Sequence, residues 1–221
     1  MDVLHMTEDA LEAKCVEWRR WFHEHPEVST EEKNTSEKIF GILKELGLDP
    51  VRGQGHYGVA ATIQGGKTGP MVALRADMDA LSVREDTGLP YASQNPGVMH
   101  ACGHDIHMTT LLETILRLLR RKDEIQGSVR VLFQPSEELS PTGGARYMMK
   151  DGFLKDVKAV FGLHVWPNFV CGQIGVKEGA MMAGSDRIKV VIKGRTSHAG
   201  HPQEGIDAIM AAADFLQQVS H

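Results

Sequence analysis

The chain has 221 residues, 42% hydrophobic and 24% charged, with a formal net charge of −5. That is enough to bury a full core, and the make-up is that of a globular protein of one or two domains. The acidic balance gives nucleic acid and anionic lipid no electrostatic hold, and nothing nears the roughly 20 apolar residues that cross a bilayer, so neither nucleic acid nor membrane is expected as a partner.

The start, "MDVLHMTEDALEAK", has neither the basic end nor the apolar core of a secretory signal. Cys15, Cys102 and Cys171 are odd in number and widely spaced, which argues against a disulfide framework and for a reducing, cytoplasmic setting. Leu11, Cys15, Trp18, Trp21 and Phe22 follow a helical spacing over 8–24, and Pro26 ends that helix. A second helix is expected from Ser29 or Thr30 as N-cap, through Ile39, Leu43 and Leu46, to Gly47. "GVAATIQG" and "MVALRAD" are short apolar runs and read as strands, followed by a long loop over about 77–104.

From Asp105 the pattern turns helical, with Leu111, Leu112, Ile115, Leu116 and Leu119 on one face. "SVRVLFQ" reads as a strand, "GGARYMMKDG" as a short helix and "KAVFGLHV" as another strand. This alternation predicts an α/β fold with a mixed, largely parallel sheet flanked by helices. Ligands of such sheets gather at the carboxyl ends of strands. Asp77 and Asp79, Glu137 and Glu138, and His164 all fall at such ends. Beyond Gly179, "SDRIKVVIKG" alternates like a strand with one wet face, "RTSHAGHPQEG" is a loop and "IDAIMAAADFLQQVSH" a helix running to the end. That piece is too small for its own core and reads as the beginning of a second domain.

"HACGHDIH" (100–107) crowds three histidines, a cysteine and an aspartate around one glycine. Thiolate and imidazole are both ligands of zinc and related ions, and Gly103 lets the backbone turn so that Cys102 and His104 converge. The plain alternative is a small buried cysteine beside a helix start that Asp105 serves. "QPSEE" adds a carboxylate to grip a cation and a second to take a proton from the water it acidifies. His164 adds an imidazole at a neighbouring strand end.

"RRWFHEHPEVSTEE", "ALRADMDALSVREDTGLPYAS", "GVMHACGHDIHMTTLL", "VLFQPSEELSPTGGARYM" and "FGLHVWP" together resemble, in order, the motifs of the dinuclear metal-dependent amidohydrolases and peptidases. That family includes hippurate hydrolases, N-acyl-amino-acid amidohydrolases and plant auxin-conjugate hydrolases. The resemblance implies hydrolysis of the amide bond of an N-acyl amino acid, with two divalent ions (zinc, manganese, cobalt or nickel) per complete subunit. It implies Cys102 as a thiolate bridging both ions, His104 and His164 as ligands of one and Glu138 of the other. Glu137 would be the general base, and Asp79 would hold a neighbouring group in place. Asp77 stands where distant relatives carry a metal-binding histidine and is not expected to be a ligand. His100 and His107 are assigned to packing or capping.

The same resemblance implies a zinc-peptidase-like catalytic domain over 1–182 and the start of an α+β lid or dimerisation domain over 183–221. His198 in "TSHAGHP" would reach the active site of the partner subunit of a homodimer and steady the developing oxyanion. Gln203 departs from the family's second histidine. The family's chains also continue further and return a last metal-binding histidine, so a truncated chain of low or no activity is expected. Two rivals stand beside this reading: a metal-free hydrolase with Cys102 as nucleophile and His104 as its base, and a non-catalytic metal-binding remnant.

Overall fold

A computed structural model describes residues 5–139, 142–184 and 186–219. Ser140 and Pro141 of the loop after the glutamate pair, Ser185 of the expected late strand and the last two residues of the expected terminal helix lie outside the described residues, as do residues 1–4. The chain divides into two compact units, Met1–Gly184 and Ser185–His221.

Helix α1 (Glu8–Glu24) begins where Thr7 Oγ1 accepts the amide of Ala10 and Glu8 and Asp9 complement the helix dipole. It buries Leu11, Cys15, Trp18 and Phe22 of the expected stripe, while Trp21 is only partly buried at its edge. Helix α2 (Lys33–Glu45) starts later than expected: Glu32, not Ser29 or Thr30, holds the cap position. Thr30 has a left-handed backbone (φ 71°), and the side chains of Ser29 and Glu32 bond to other loops, so local capping yields to tertiary contacts. At the far end Gly47 (φ 76°) lets the amide of Leu48 reach back 3.0 Å to the carbonyl of Leu43.

The sheet comprises β1 (Val51–Arg52), β2 (Val59–Gln64), β3 (Lys67–Asp77), β4 (Gln126–Gln134) and β5 (Val157–Gly162), ordered β1-β2-β4-β3-β5. The expectation of a largely parallel sheet needs correction. β1–β2 and β2–β4 are antiparallel, β3–β4 and β3–β5 parallel, so the sheet is evenly mixed. β2 and β3 follow one another in sequence but do not pair, because β4 lies between them. Gly65 and Gly66 carry the chain past the start of β4. A Cβ at Gly65 would lie 2.4 Å from the Ile125 carbonyl oxygen, and one at Gly66 would lie 2.7 Å from Asp123.

Helix α3 (His104–Arg120) packs with α1 and α2 on one sheet face, where Leu112, Ile115 and Leu116 meet Val59, Ile63, Val131 and Phe133. On the other face Ala60, Ala73 and Leu132 meet Met148 of α4 (Ala145–Lys150) and Phe153. This period-2 division of β2 and β4 between two faces fixes their register. Among the described residues no helix is long and apolar enough to cross a membrane.

A buried ion-pair cluster pins α1 to α3. Asp105 Oδ2 lies 2.7 Å from His23 Nδ1 and 3.0 Å from Arg19 Nε, and Glu85 Oε1 lies 3.2 Å from His23 Nε2. The Asp105 hydrogen bond, against the opposing effect of burial, raises the His23 pKa. A raised folded value stabilises the fold fully below the unfolded value of about 6.5, and that contribution fades as pH climbs through the folded value. His23→Gln is therefore expected to cost about 1–3 kcal/mol near pH 6 and less at pH 9, measured by unfolding in the presence of a chelator.

In the second unit, 186–194 form no strand among the described residues, contrary to expectation. A single antiparallel bridge joins Arg195 and Ile206. Alternation sets the faces of a strand, but a ladder also needs a partner, and here none of the described residues supplies one. Asp207 Oδ1 accepts the amides of Ile209 and Met210 at the start of α5 (Ala208–Val219).

Candidate metal centre

β4, β3 and β5 run parallel, and their carboxyl ends face one edge where Asp77 is in register with Gln134. Asp79 lies just past β3, Glu137 and Glu138 just past β4, and His164 just past β5. Cys102 and His104 reach the same edge from the start of α3. Gly103 between them caps that helix with φ 90°, and a Cβ there would lie 2.5 Å from Val165 Cγ2. Both the backbone sign and the close approach therefore require glycine.

Three donor groups cluster here, each with ligand atoms within 4.8 Å of one another: Cys102–His104–His164, His104–Glu137–Glu138 and Asp77–His104–His107. Such spreads suit ligands about 2.0–2.3 Å from a shared ion. His104 belongs to all three. It is fully buried, yet neither ring nitrogen makes a hydrogen bond, and Glu138 Oε1 is buried and unbonded as well. Buried polar atoms in that state are costly unless something binds them. His104 Nδ1 faces Asp79 Oδ1 at 3.4 Å, while Nε2 lies 3.7 Å from Asp77 Oδ2, 3.8 Å from Glu138 Oε1 and 3.9 Å from Glu137 Oε2. A carboxylate behind one nitrogen and a cluster of acceptors before the other is the arrangement of a ligating histidine.

His164 tells the same story. Its Nδ1–H donates to the Val165 carbonyl at 2.6 Å, which leaves the Nε2 lone pair facing Cys102 Sγ at 3.3 Å. Burial, then the charge of Glu138, pushes the Cys102 thiol up to about 12. A thiolate there needs a cation to offset those charges, and a divalent ion would do so. The sulfur, imidazoles and carboxylates thus fit a divalent cation.

The glutamate pair sits on a braced turn. Ser136 has φ 54°, and its amide and hydroxyl donate to Glu32 Oε1 at 2.6 and 3.0 Å, while the Thr30 amide donates to Ser136 Oγ. The Glu138 amide and the Ser29 hydroxyl both donate to Asp79 Oδ2, at 2.9 and 2.6 Å. Glu137 is left partly open to solvent, its side chain 41% exposed. Burial, Asp77 and Glu138 raise its pKa, and all three favour proton uptake.

The structure therefore brings together Cys102, His104, Glu137, Glu138, His164 and Asp79. His198 lies in the second unit, exposed, its Nδ1 accepting the Gly200 amide at 3.1 Å, so that a neutral ring carries its proton on Nε2. His100 is buried with neither nitrogen bonded, and burial lowers its pKa to about 4, in keeping with packing. His107 does more than pack. Its Nδ1 lies 2.6 Å from Asp77 Oδ1 and its Nε2 accepts the Val165 amide at 3.0 Å. Its three-residue spacing from His104 on one helix was the only sequence signal for this. Ser29, Glu32 and Ser136 were also missed as site supports, because their partners are distant in sequence.

An α/β sheet whose parallel strand ends carry His164 and a glutamate pair, met by the thiol of Cys102 and the imidazole of His104 from the start of α3, has a candidate cation site at its carboxyl edge. The chain belongs to peptidase family M20/M25/M40, which residues 73–220 match. It is 44% identical to the N-acetylcysteine deacetylase of Bacillus subtilis over 96% of its own length and 55% of that protein's. It is 39% identical to the N-acyl-L-amino acid amidohydrolase of Geobacillus stearothermophilus, over 96% of this chain and 57% of that one. The crystal structure of Bacillus subtilis YxeP, described as a dinuclear metal-binding peptidase of the M20 family, superposes with a TM-score of 0.74 at 42% identity, covering 78% of this chain and 48% of that one. The chain spans about half the length of these relatives.

Proposed function

We propose that this chain carries the cation-binding and proton-transfer groups of an amidohydrolase that cleaves N-acyl amino acids. The observation that carries the reading is the meeting of Cys102, His104 and His164, both imidazoles offering Nε2, beside a half-open Glu137. The names of the relatives, a deacetylase and an amidohydrolase of N-acyl amino acids, point to the substrate class.

Cys102, His104, His164 and Glu138 would hold up to two divalent ions. When bound, these would polarise the scissile carbonyl and lower the pKa of a water. Glu137 takes a proton from that water as its oxygen bonds to the carbonyl carbon. The same carboxyl then gives the proton to the departing nitrogen as the C–N bond breaks, releasing carboxylate and amino acid. Asp79 keeps His104 turned toward the site. His198 supplies an Nε2–H toward the developing oxyanion from the partner subunit of a homodimer formed through 183–221, with 1–182 as the catalytic domain.

Two observations weigh against a thiol nucleophile with His104 as its base. The imidazole in contact with Cys102 is His164, and the thiol's pKa is high. The test is titration with Zn²⁺ or Co²⁺, followed by assay with N-acetyl amino acids. Saturable binding that Cys102→Ser weakens is the expected result, with the low hydrolysis of this chain stopped by chelation and restored by added cation. No bound cation, or hydrolysis that ignores chelators and stops on thiol alkylation, would overturn the proposal.

A further inference from the structure

The residues around His164 form a hydrogen-bonded chain whose directions can be assigned without ambiguity. A backbone amide only donates, so the bond from Val165 N–H to His107 Nε2 (3.0 Å) makes that nitrogen an acceptor. The ring proton of neutral His107 then sits on Nδ1 and is donated to Asp77 Oδ1 at 2.6 Å. Asp77 is fixed in turn, its Oδ2 accepting from Arg75 at 2.7 Å, while Arg75 Nε donates to Gln134 at 2.9 Å. The Val165 carbonyl, in the next peptide along, accepts the Nδ1–H of His164 at 2.6 Å. Residue 165 is thus held through both its amide and its carbonyl, and the His107 and His164 rings pack edge to face 4.6 Å apart.

This geometry separates the three donor groups. In Asp77–His104–His107, both ring nitrogens of His107 and both oxygens of Asp77 are already engaged, and a cation could take His107 only by displacing the Val165 amide from Nε2 or Asp77 from Nδ1. We infer that His107 is a positioning residue and not a ligand: with Asp77 behind it, it holds the Val165 amide, and so fixes the residue whose carbonyl turns His164 to present Nε2 to Cys102 and the cation. The inference rests on the proposed cation site, and its test keeps the two apart.

The experiment is Co²⁺ titration of the cation-free protein, followed by calorimetry and by the thiolate-to-cobalt absorption band, in wild type, His107→Ala, His107→Asn, His164→Ala and the His107→Ala/His164→Ala pair. Asparagine keeps a donor toward Asp77 and loses the reach to Val165, so it serves if the alanine variant does not fold. The expected result is a sulfur band in wild type and an affinity lowered about 10- to 100-fold by either His107 change, with the band retained. In the His164→Ala background the His107 change should add less than about 2-fold, because its whole effect passes through His164. Full affinity in His107→Asn, or effects that simply multiply in the double variant, would overturn the inference while leaving the cation site standing. A wild type that binds no cobalt would instead sink the site itself. Nitrogen NMR of the cation-free wild type gives a check without substitution: His107 must be protonated on Nδ1, and protonation on Nε2 refutes the inference.

Discussion

Glu137→Gln is expected to lower the chain's already low kcat for N-acyl amino acid hydrolysis by about 10²- to 10⁴-fold, or to the limit of detection, while leaving the bound cation per chain unchanged. Glutamine matches glutamate in size but cannot take up a proton. The Glu137 carboxylate comes no closer than 3.9 Å to His104 Nε2, and its side chain is 41% exposed, so the exchange removes little packing. The turn that carries it depends on Glu32, Ser136 and Thr30, none of which changes. Amine release and metal analysis on the same preparation check both halves. A loss smaller than about tenfold, or a loss matched by loss of cation, would remove Glu137 from the role of base.

His104→Ala is expected to lower cation affinity by more than about 100-fold, since losing only the partner behind a ligating histidine already costs 10- to 100-fold. His104 is the one member common to all three donor groups, so its loss breaks each of them. The stability of the cation-free protein should move less. Truncating a large buried side chain costs about 2–5 kcal/mol, but here it also removes two buried nitrogens that make no hydrogen bond. Asp79 keeps the Ser29 and Glu138 bonds on its other oxygen. Thermal unfolding should therefore show His104→Ala less destabilised than Leu112→Ala, which empties an apolar site in the same helix. Added cation at 100 times its Kd should stabilise wild type by about 2.7 kcal/mol and this variant hardly at all. A variant that cation still stabilises fully would exclude His104 as a ligand.

The helices were legible because their signals are local. The apolar stripe of α1 and the turn at Gly47 need only neighbours a few residues away, and α3 begins within one residue of its expected start. The start of α2 was misplaced for the opposite reason: Ser29 and Glu32 have the chemistry of a helix cap, but Asp79 and Ser136 claim them. The sheet shows the same contrast. Each of its longer strands was visible as an apolar run, whereas the insertion of β4 between β2 and β3 was not, since nothing in a strand's own residues names its partner. The 186–194 segment carries a strand pattern and forms no strand among the described residues.

The sequence alone determined the inventory: paired carboxylates and an imidazole at predicted strand ends, and a thiol and a second imidazole at a helix start, with a glycine between them where left-handed backbone is needed. Only the tertiary structure decided which nitrogen each histidine offers, because a tautomer is set by whatever the other nitrogen meets. For His107 and His164 that is one residue, Val165, through its amide and its carbonyl, far from His107 in the chain and brought to it by the parallel pairing of β3 and β5.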